Sequence, residues 1–414
     1  MGTTGRRLRR GATIGVALAL VALGAPAATA GTGAVADGTT GVVPTRVHDP
    51  WLWQATVGQR AAGPAALVFF TDRTRYFEST GVLVDRDGAY RLIPIGIAEG
   101  HGLLSPDGRH YLRPGSGELL DLTTGRQRRT MSTGVSPLAW SSDGQQVLGT
   151  RDNDDTVITY GPENQQLNDP EKPDDLLVGD PFRGTERVVD VGTFATHTGA
   201  AWSPGGDLVA VTGWPDVPAQ LAERQRLVVV DPGGGGPRWQ VDLGDRRILA
   251  GPAAWHPDGR RLALLAFDGC AGLLCTAEQA AARAWRVEFL DTATGHSVGP
   301  ALPAGTSVNE IIGWRGDDPI LRYVSKTEHD TDRQAVLAAL SADGGREVLV
   351  TTPVGSTDVK VPGDLLTRAA FGGPEPRPSP FAAPLWIYLT LAVPLLLAAV
   401  LVVRRVRRRR AASR

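Results

Sequence analysis

Trp202-Ser203-Pro204-Gly205-Gly206 and Trp255-His256-Pro257-Asp258-Gly259 are two copies of one pattern, 53 residues apart. Working outward, Leu104-Ser105-Pro106-Asp107-Gly108, Trp140-Ser141-Ser142-Asp143-Gly144 and Trp314-Arg315-Gly316-Asp317-Asp318 align with them without gaps, at successive spacings of 36, 62, 53 and 59 residues. An Ala, Leu or Gly precedes the aligned Trp or Leu, and a β-rich run follows the turn at 146–148, 208–211, 262–265 and 320–324. Pro fixes φ, Asp offers a side-chain acceptor to the turn amides, and Gly is free to take φ > 0, so each pentapeptide closes a strand-turn-strand hairpin. The flat indole before the turn suits packing between stacked sheets.

A second hairpin follows the first. Leu119 to Gly125, Leu227 to Gly233 and Glu288 to Gly295 each run strand, Asp, turn, Gly, so two hairpins make a four-stranded unit. Gly81 to Gly88 with 90–93 forms the second hairpin of an earlier unit, whose first hairpin is expected at Trp51 to Val57 and Ala65 to Phe70. The units fall at 46–98, 99–135, 136–197, 198–250, 251–308 and 309–355, which predicts an all-β fold, a β-propeller of about six four-stranded blades. The short second unit and the missing motif in the first leave five to seven blades open.

The W-S-P-D-G repeats resemble the PD40 or TolB-type β-propeller repeat, and more loosely the WD40-like repeats of membrane-anchored actinobacterial proteins. The resemblance covers roughly residues 45–355 and implies the fold. It leaves the function open, since propellers host unrelated activities. The chain departs from the family in blade length, with 151–195, rich in Asp, Asn, Gln and Pro, expected to loop out of one blade.

The ends are of another kind. Arg6-Arg7-Leu8-Arg9-Arg10, an apolar run from Ala12 to Leu23 and Ala28-Thr29-Ala30 make 1–30 a secretory signal peptide. After a leader segment at 31–45 come the propeller at 46–355, a Pro-rich stalk at 356–383 expected to hold it off the bilayer, and a transmembrane helix at 384–403. Residues 404–414 are a basic tail whose arginines mark the cytoplasmic side, so the expected topology is single-pass type I in the cell membrane.

The 414 residues are 42 % hydrophobic and 21 % charged with a net charge of −1, which supports a core and argues against a nucleic-acid partner. Cys270 and Cys275, the only cysteines, lie in the exported part and are expected to form a disulfide.

Candidate chemistry is sparse. Gly295-His296-Ser297-Val298-Gly299 matches a nucleophile elbow, but a hairpin turn precedes it and no helix can follow. Asp152-Asn153-Asp154-Asp155 lacks the Gly and Glu of a calcium loop, Gly233 to Gly236 lacks the Lys of a P-loop, and Arg315-Gly316-Asp317 is a blade turn. The seven histidines have no metal-ligand spacing. His256 reads as an exposed turn residue, and His197, near the channel end of an inner strand, as the histidine with most claim to face a ligand.

No cofactor, metal site or catalytic residue is expected. The predicted function is non-catalytic binding of a protein or small ligand outside the cell, with long insertions at 151–195 and 268–284 as the contact loops. The alternatives are a metal-dependent lactonase- or cyclase-like propeller enzyme and the ectodomain of a sensor complex.

Overall fold

The structure, a computed structural model, describes residues 41–412 apart from 76–77, 95–101, 152–158, 161–165, 168–173, 193, 195, 215–224, 235, 272–274 and 326–332. The expected signal peptide and the Asp152 to Asp155 motif lie outside the described residues.

Six four-stranded antiparallel sheets form the blades of a propeller. Blade 2 runs Leu103–Leu104, His110–Leu112, Glu118–Asp121 and Gln127–Arg129. Blade 3 runs Val135–Trp140, Val147–Arg151, Asp175–Asp180 and Thr185–Val188. Blade 4 comprises Thr196–Trp202, Val209–Trp214, Gln225–Asp231 and Gly236–Gly244. Blade 5 comprises Arg247–Leu249, Arg261–Asp268, Ala284–Asp291 and Leu302–Gly305, and blade 6 Val308–Arg315, Asp318–Ser325, Gln334–Leu340 and Arg346–Thr351. In each of these the first strand in sequence is the innermost.

Blade 1 is assembled from both ends of the ring. Its outer strands are Ala65–Arg75, Glu78–Asp85 and Tyr90–Ile93, but its innermost strand is Ser356–Lys360, which pairs Val68 with Lys360 and Phe69 with Val359. This corrects the expectation for Trp51 to Val57: that segment lies along the outer edge, where Thr56 bridges to Leu92. The propeller therefore continues past residue 355. A helical turn, Gly363–Thr367, and a short strand, Phe371–Gly373, paired with Val43–Pro44, complete the closure.

The 356–383 stalk shrinks accordingly, and its remainder is docked rather than free. The Tyr90 hydroxyl donates to the Pro376 carbonyl at 2.9 Å, and the Trp51 and Trp53 indoles donate to those of Pro378 and Pro380 at 3.0 and 2.9 Å. A helix, Leu385–Ala412, follows, with Pro394 inside it; it is long and apolar enough to cross a membrane.

Blade stacking explains the apolar runs. Leu262 to Ala266 and Leu227 to Val230 are all but fully buried, because the middle strands of a blade are covered on both faces by their neighbours. Trp202, Trp255 and Trp314 are 6, 4 and 7 % exposed, and the indoles of the last two donate to the carbonyls of Ala201 and Ala253 in the preceding blade. The Trp thus packs between sheets, and in blades 5 and 6 it also ties its blade to the one before it.

The turns follow from their side chains. In blades 2, 3 and 4, Ser105, Ser141 and Ser203 donate hydroxyls to Asp107, Asp143 and Asp207, and each hydroxyl oxygen accepts the amide five residues on. Gly108, Gly144, Gly206 and Gly259 close the i to i+3 bond at 2.9 Å with φ between 69° and 73°, the left-handed region where a Cβ is penalised. The Ser141 hydroxyl and the Gln145 amide hold the Asp143 carboxyl below its usual range.

Candidate binding rim and ion cluster

Antiparallel alternation sorts the connections. Links between first and second strands, and between third and fourth, emerge on one rim; links between second and third, and from blade to blade, emerge on the other. The first rim holds short turns that interlock. The Ser142 hydroxyl donates to the Pro204 carbonyl of the next blade, the Thr292 hydroxyl to that of Gly259, and the Asp364 amide to that of Pro106. Arg315-Gly316-Asp317 belongs to this rim, as expected, with Asp317 bound to Arg261 of blade 5 at 3.0 Å.

His256 also belongs to it and is not exposed. It is 4 % accessible, edge-on to Trp314 with centroids 4.7 Å apart, and its ring nitrogens lie 2.9 Å from Asp258 and 3.0 Å from Asp317. Burial opposes ionisation of Asp258, but the Arg260 amide, His256 and Arg261 outweigh it and hold the carboxyl at about 2. Where sister blades use Ser to cap the turn, blade 5 uses an imidazole that also reaches the next blade.

The strand ends that bound the insertions open on the second rim. The second-to-third links are 152–174 in blade 3, 215–224 in blade 4, 269–283 in blade 5 and 326–333 in blade 6. The first is shorter than the 151–195 insertion expected, because Asp175–Asp180 and Thr185–Val188 are blade strands, with Leu176 and Leu177 fully in the core. In blade 5 the link is braced. Cys270 and Cys275 are joined as a disulfide, and the Arg283 guanidinium donates to the Cys270 carbonyl at 2.8 Å while stacking 4.4 Å from the Phe267 ring centre. Thr276 and Gln279 then cap the short helix Ala277–Ala281 reciprocally.

His197 opens the inner strand of blade 4 at this rim and is buried beside Phe194. It is 7 % exposed and lies 5.3 Å, centroid to centroid, from Phe194, with neither ring nitrogen hydrogen-bonded. Burial pushes its pKa down to about 4, against a weaker opposing pull from Asp175, so the imidazole is neutral at neutral pH.

At the seam where blades 6 and 1 meet, the two innermost strands and the second strand of blade 6 carry a charge cluster that sequence reading missed. Arg322 contacts Asp358 and lies 3.3 Å from Glu310, and Lys360 lies 3.1 Å from Asp358. Asp358 is 1 % exposed. Burial pulls the Lys360 amine down to about 8, with Glu310 opposing. Two acids and two bases neutralise one another, which suits a clasp at the ring closure. Ser297, meanwhile, lies in an isolated bridge to Leu290 just after the hairpin turn, not at a strand-helix elbow. Among the described residues no group of three or more His, Cys, Asp or Glu is placed to hold a metal ion.

No protein-family model matches the chain, and no curated protein does. Solved structures do. It is similar to TolB from Acinetobacter baumannii at 14 % identity over 72 % of this chain and 66 % of that one, TM-score 0.47. It is also similar to hydrazine synthase from Kuenenia stuttgartiensis (12 %, 75 % and 79 %, TM-score 0.46) and to an oligogalacturonate lyase in complex with manganese (15 %, 73 % and 78 %, TM-score 0.46). TolB proteins, whose repeat the W-S-P-D-G copies resemble, thus stand among the structural neighbours. The likeness is one of fold, and the six-bladed architecture itself rests on the strand order.

Proposed function

We propose that this protein is a membrane-anchored propeller that binds a protein or small-ligand partner outside the cell, through the rim bearing the second-to-third-strand links, without turnover. One observation carries the reading: in four blades the strand ends that flank the long links open on the same rim, while the opposite rim is spent on short interlocked turns. Rigid scaffolds that present loops on one face use that face for contacts. The acidic run Asp152 to Asp175 favours a cationic partner. Helix Leu385–Ala412 is the anchor, with the propeller outside and Arg404 to Arg414 in the cytoplasm.

The test removes the largest link without touching a blade. Arg151 and Asp175 are register partners joined at 2.6 Å, so 152–174 can be replaced by a two-residue Asn-Gly turn. The far-ultraviolet circular dichroism of the blades should persist while a partner that co-purifies with the intact protein is lost. Retention of every partner contradicts the reading. So does metal-dependent hydrolysis of a lactone or cleavage of an oligosaccharide by the purified protein, which favours the enzyme instead.

A further inference from the structure

The outer edge of blade 1 carries an aromatic patch at the foot of the membrane-length helix. Trp51 and Trp53 stack with centroids 5.1 Å apart and planes 16° apart, each keeping its indole N–H on a carbonyl of the Pro-rich segment. They remain 41 and 40 % exposed, while Leu52 between them is 65 % exposed and Phe381 76 %. The Ala55 amide donates to the Ala382 carbonyl at 2.8 Å, and the helix begins at Leu385. Three Cα steps therefore separate docked chain from helix, a reach of roughly 11 Å at most. The Tyr388 hydroxyl donates back to the Phe381 carbonyl at 2.6 Å and tightens the join.

We infer that Trp51, Leu52, Trp53 and Phe381 dock on the headgroup interface of the bilayer, so that the propeller rests on the membrane by the outer edge of blade 1. This rests on reading Leu385–Ala412 as a membrane span. The uncharged stretch from Leu385 to Val403 is 19 residues, roughly 28 Å of helix at ~1.5 Å per residue, which fills a hydrocarbon core of about 30 Å and sets Leu385 at its boundary. A patch tied within a few residues of that boundary cannot stand far from the lipid. Its chemistry fits the same depth: an indole with its N–H satisfied offers an apolar body to the headgroup region, where Trp is favoured, as are Trp386 and Tyr388 at the start of the helix. The segment that composition marks as a spacer thus acts as a strap.

The experiment uses the full chain in phosphatidylcholine–phosphatidylglycerol nanodiscs. Since both native cysteines are in the disulfide, a single introduced cysteine takes an environment-sensitive fluorophore. Leu52→Cys reports the patch, Leu396→Cys the helix, and Arg183→Cys, at a turn of blade 3 with an 83 % exposed side chain, serves as the aqueous reference. Circular dichroism confirms that each labelled chain is folded. Lipids spin-labelled near the headgroup should quench position 52 several-fold more than position 183, and deep-labelled lipids should quench position 396. If 396 is quenched and 52 behaves like 183, docking is overturned and the span stands. If 396 is unquenched, the span reading falls and the docking with it. A blue-shifted but lipid-unquenched probe at 52 means that protein covers the patch, which also overturns the inference.

Discussion

Lowering the pH should destabilise this propeller most strongly through His197, with burial of His110 acting in the same direction. In the unfolded chain the His197 imidazole titrates near 6.5, but in the blade 3–blade 4 interface burial holds it at about 4, with Asp175 the charged group that faces it and Phe194 against the ring. Below pH 6.5 the unfolded chain takes up a proton that the folded chain refuses until about pH 4, so stability falls as pH falls through that window. A gap of about 2.5 pH units at ~1.36 kcal/mol each amounts to about 3 kcal/mol, most of it lost by pH 4.5. Asp175 is engaged by Arg151 at 2.6 Å. Most exposed carboxylates titrate below the window and contribute little to it. The assay is urea unfolding of the wild type and His197→Leu at pH 7, 5.5 and 4.5. The wild type should lose about 2–3 kcal/mol more than the variant over that range. Parallel profiles would refute the reasoning, showing that the imidazole is protonated in the fold or solvated through an opening.

Asp358→Ala strands the Arg322 and Lys360 charges inside the closing seam and should cost about 3–5 kcal/mol in denaturant unfolding, whereas the double change Arg322→Met with Asp358→Leu should recover more than half of it. Equal losses for the single and double changes would mean that the cluster is not a coupled clasp. Gly259→Ala meets open space and should cost only the ~1–2 kcal/mol of a left-handed Cβ. Gly108→Ala, whose Cβ would come 2.8 Å from the Ala65 carbonyl and 2.9 Å from Pro362, should cost clearly more by thermal unfolding; equal costs would misplace the blade 2 turn. Mass analysis without reductant should find Cys270 and Cys275 oxidised, and Cys270→Ser should lower stability by less than the ~3 kcal/mol of a 15-residue loop, since this loop is shorter. Free thiols would falsify the bond.

What was legible in the sequence was local. Ser105, Asp107 and Gly108 determine their own turn within five residues, the copies at Trp140 and Trp202 repeat that chemistry and the copy at Trp255 keeps the Asp and Gly, so blade order and hairpin pairing could be read directly. What depended on distant pairing was not. Ser356–Lys360 is a short, mostly polar segment that becomes a strand only because Phe69 and Phe70, nearly three hundred residues earlier, offer it an edge. With it the ion cluster stayed hidden, since Asp358 meets Arg322 only once the ring closes. His256 read as exposed because its position is a turn; its burial comes from Trp314 and Asp317 in the next blade. The proline run announced an extended chain, but composition carries conformation and not location, so nothing in it pointed to the indoles of Trp51 and Trp53.

Partner contacts should gather on one rim. Photo-crosslinking in intact cells tests it directly, with a benzoylphenylalanine placed at Thr276 or the 40 % exposed Val354 on the insertion rim and at Ser142 or Thr294 on the turn rim. A common adduct is expected from the first pair and none from the second. The same adduct from both rims, or from the turn rim alone, would contradict it.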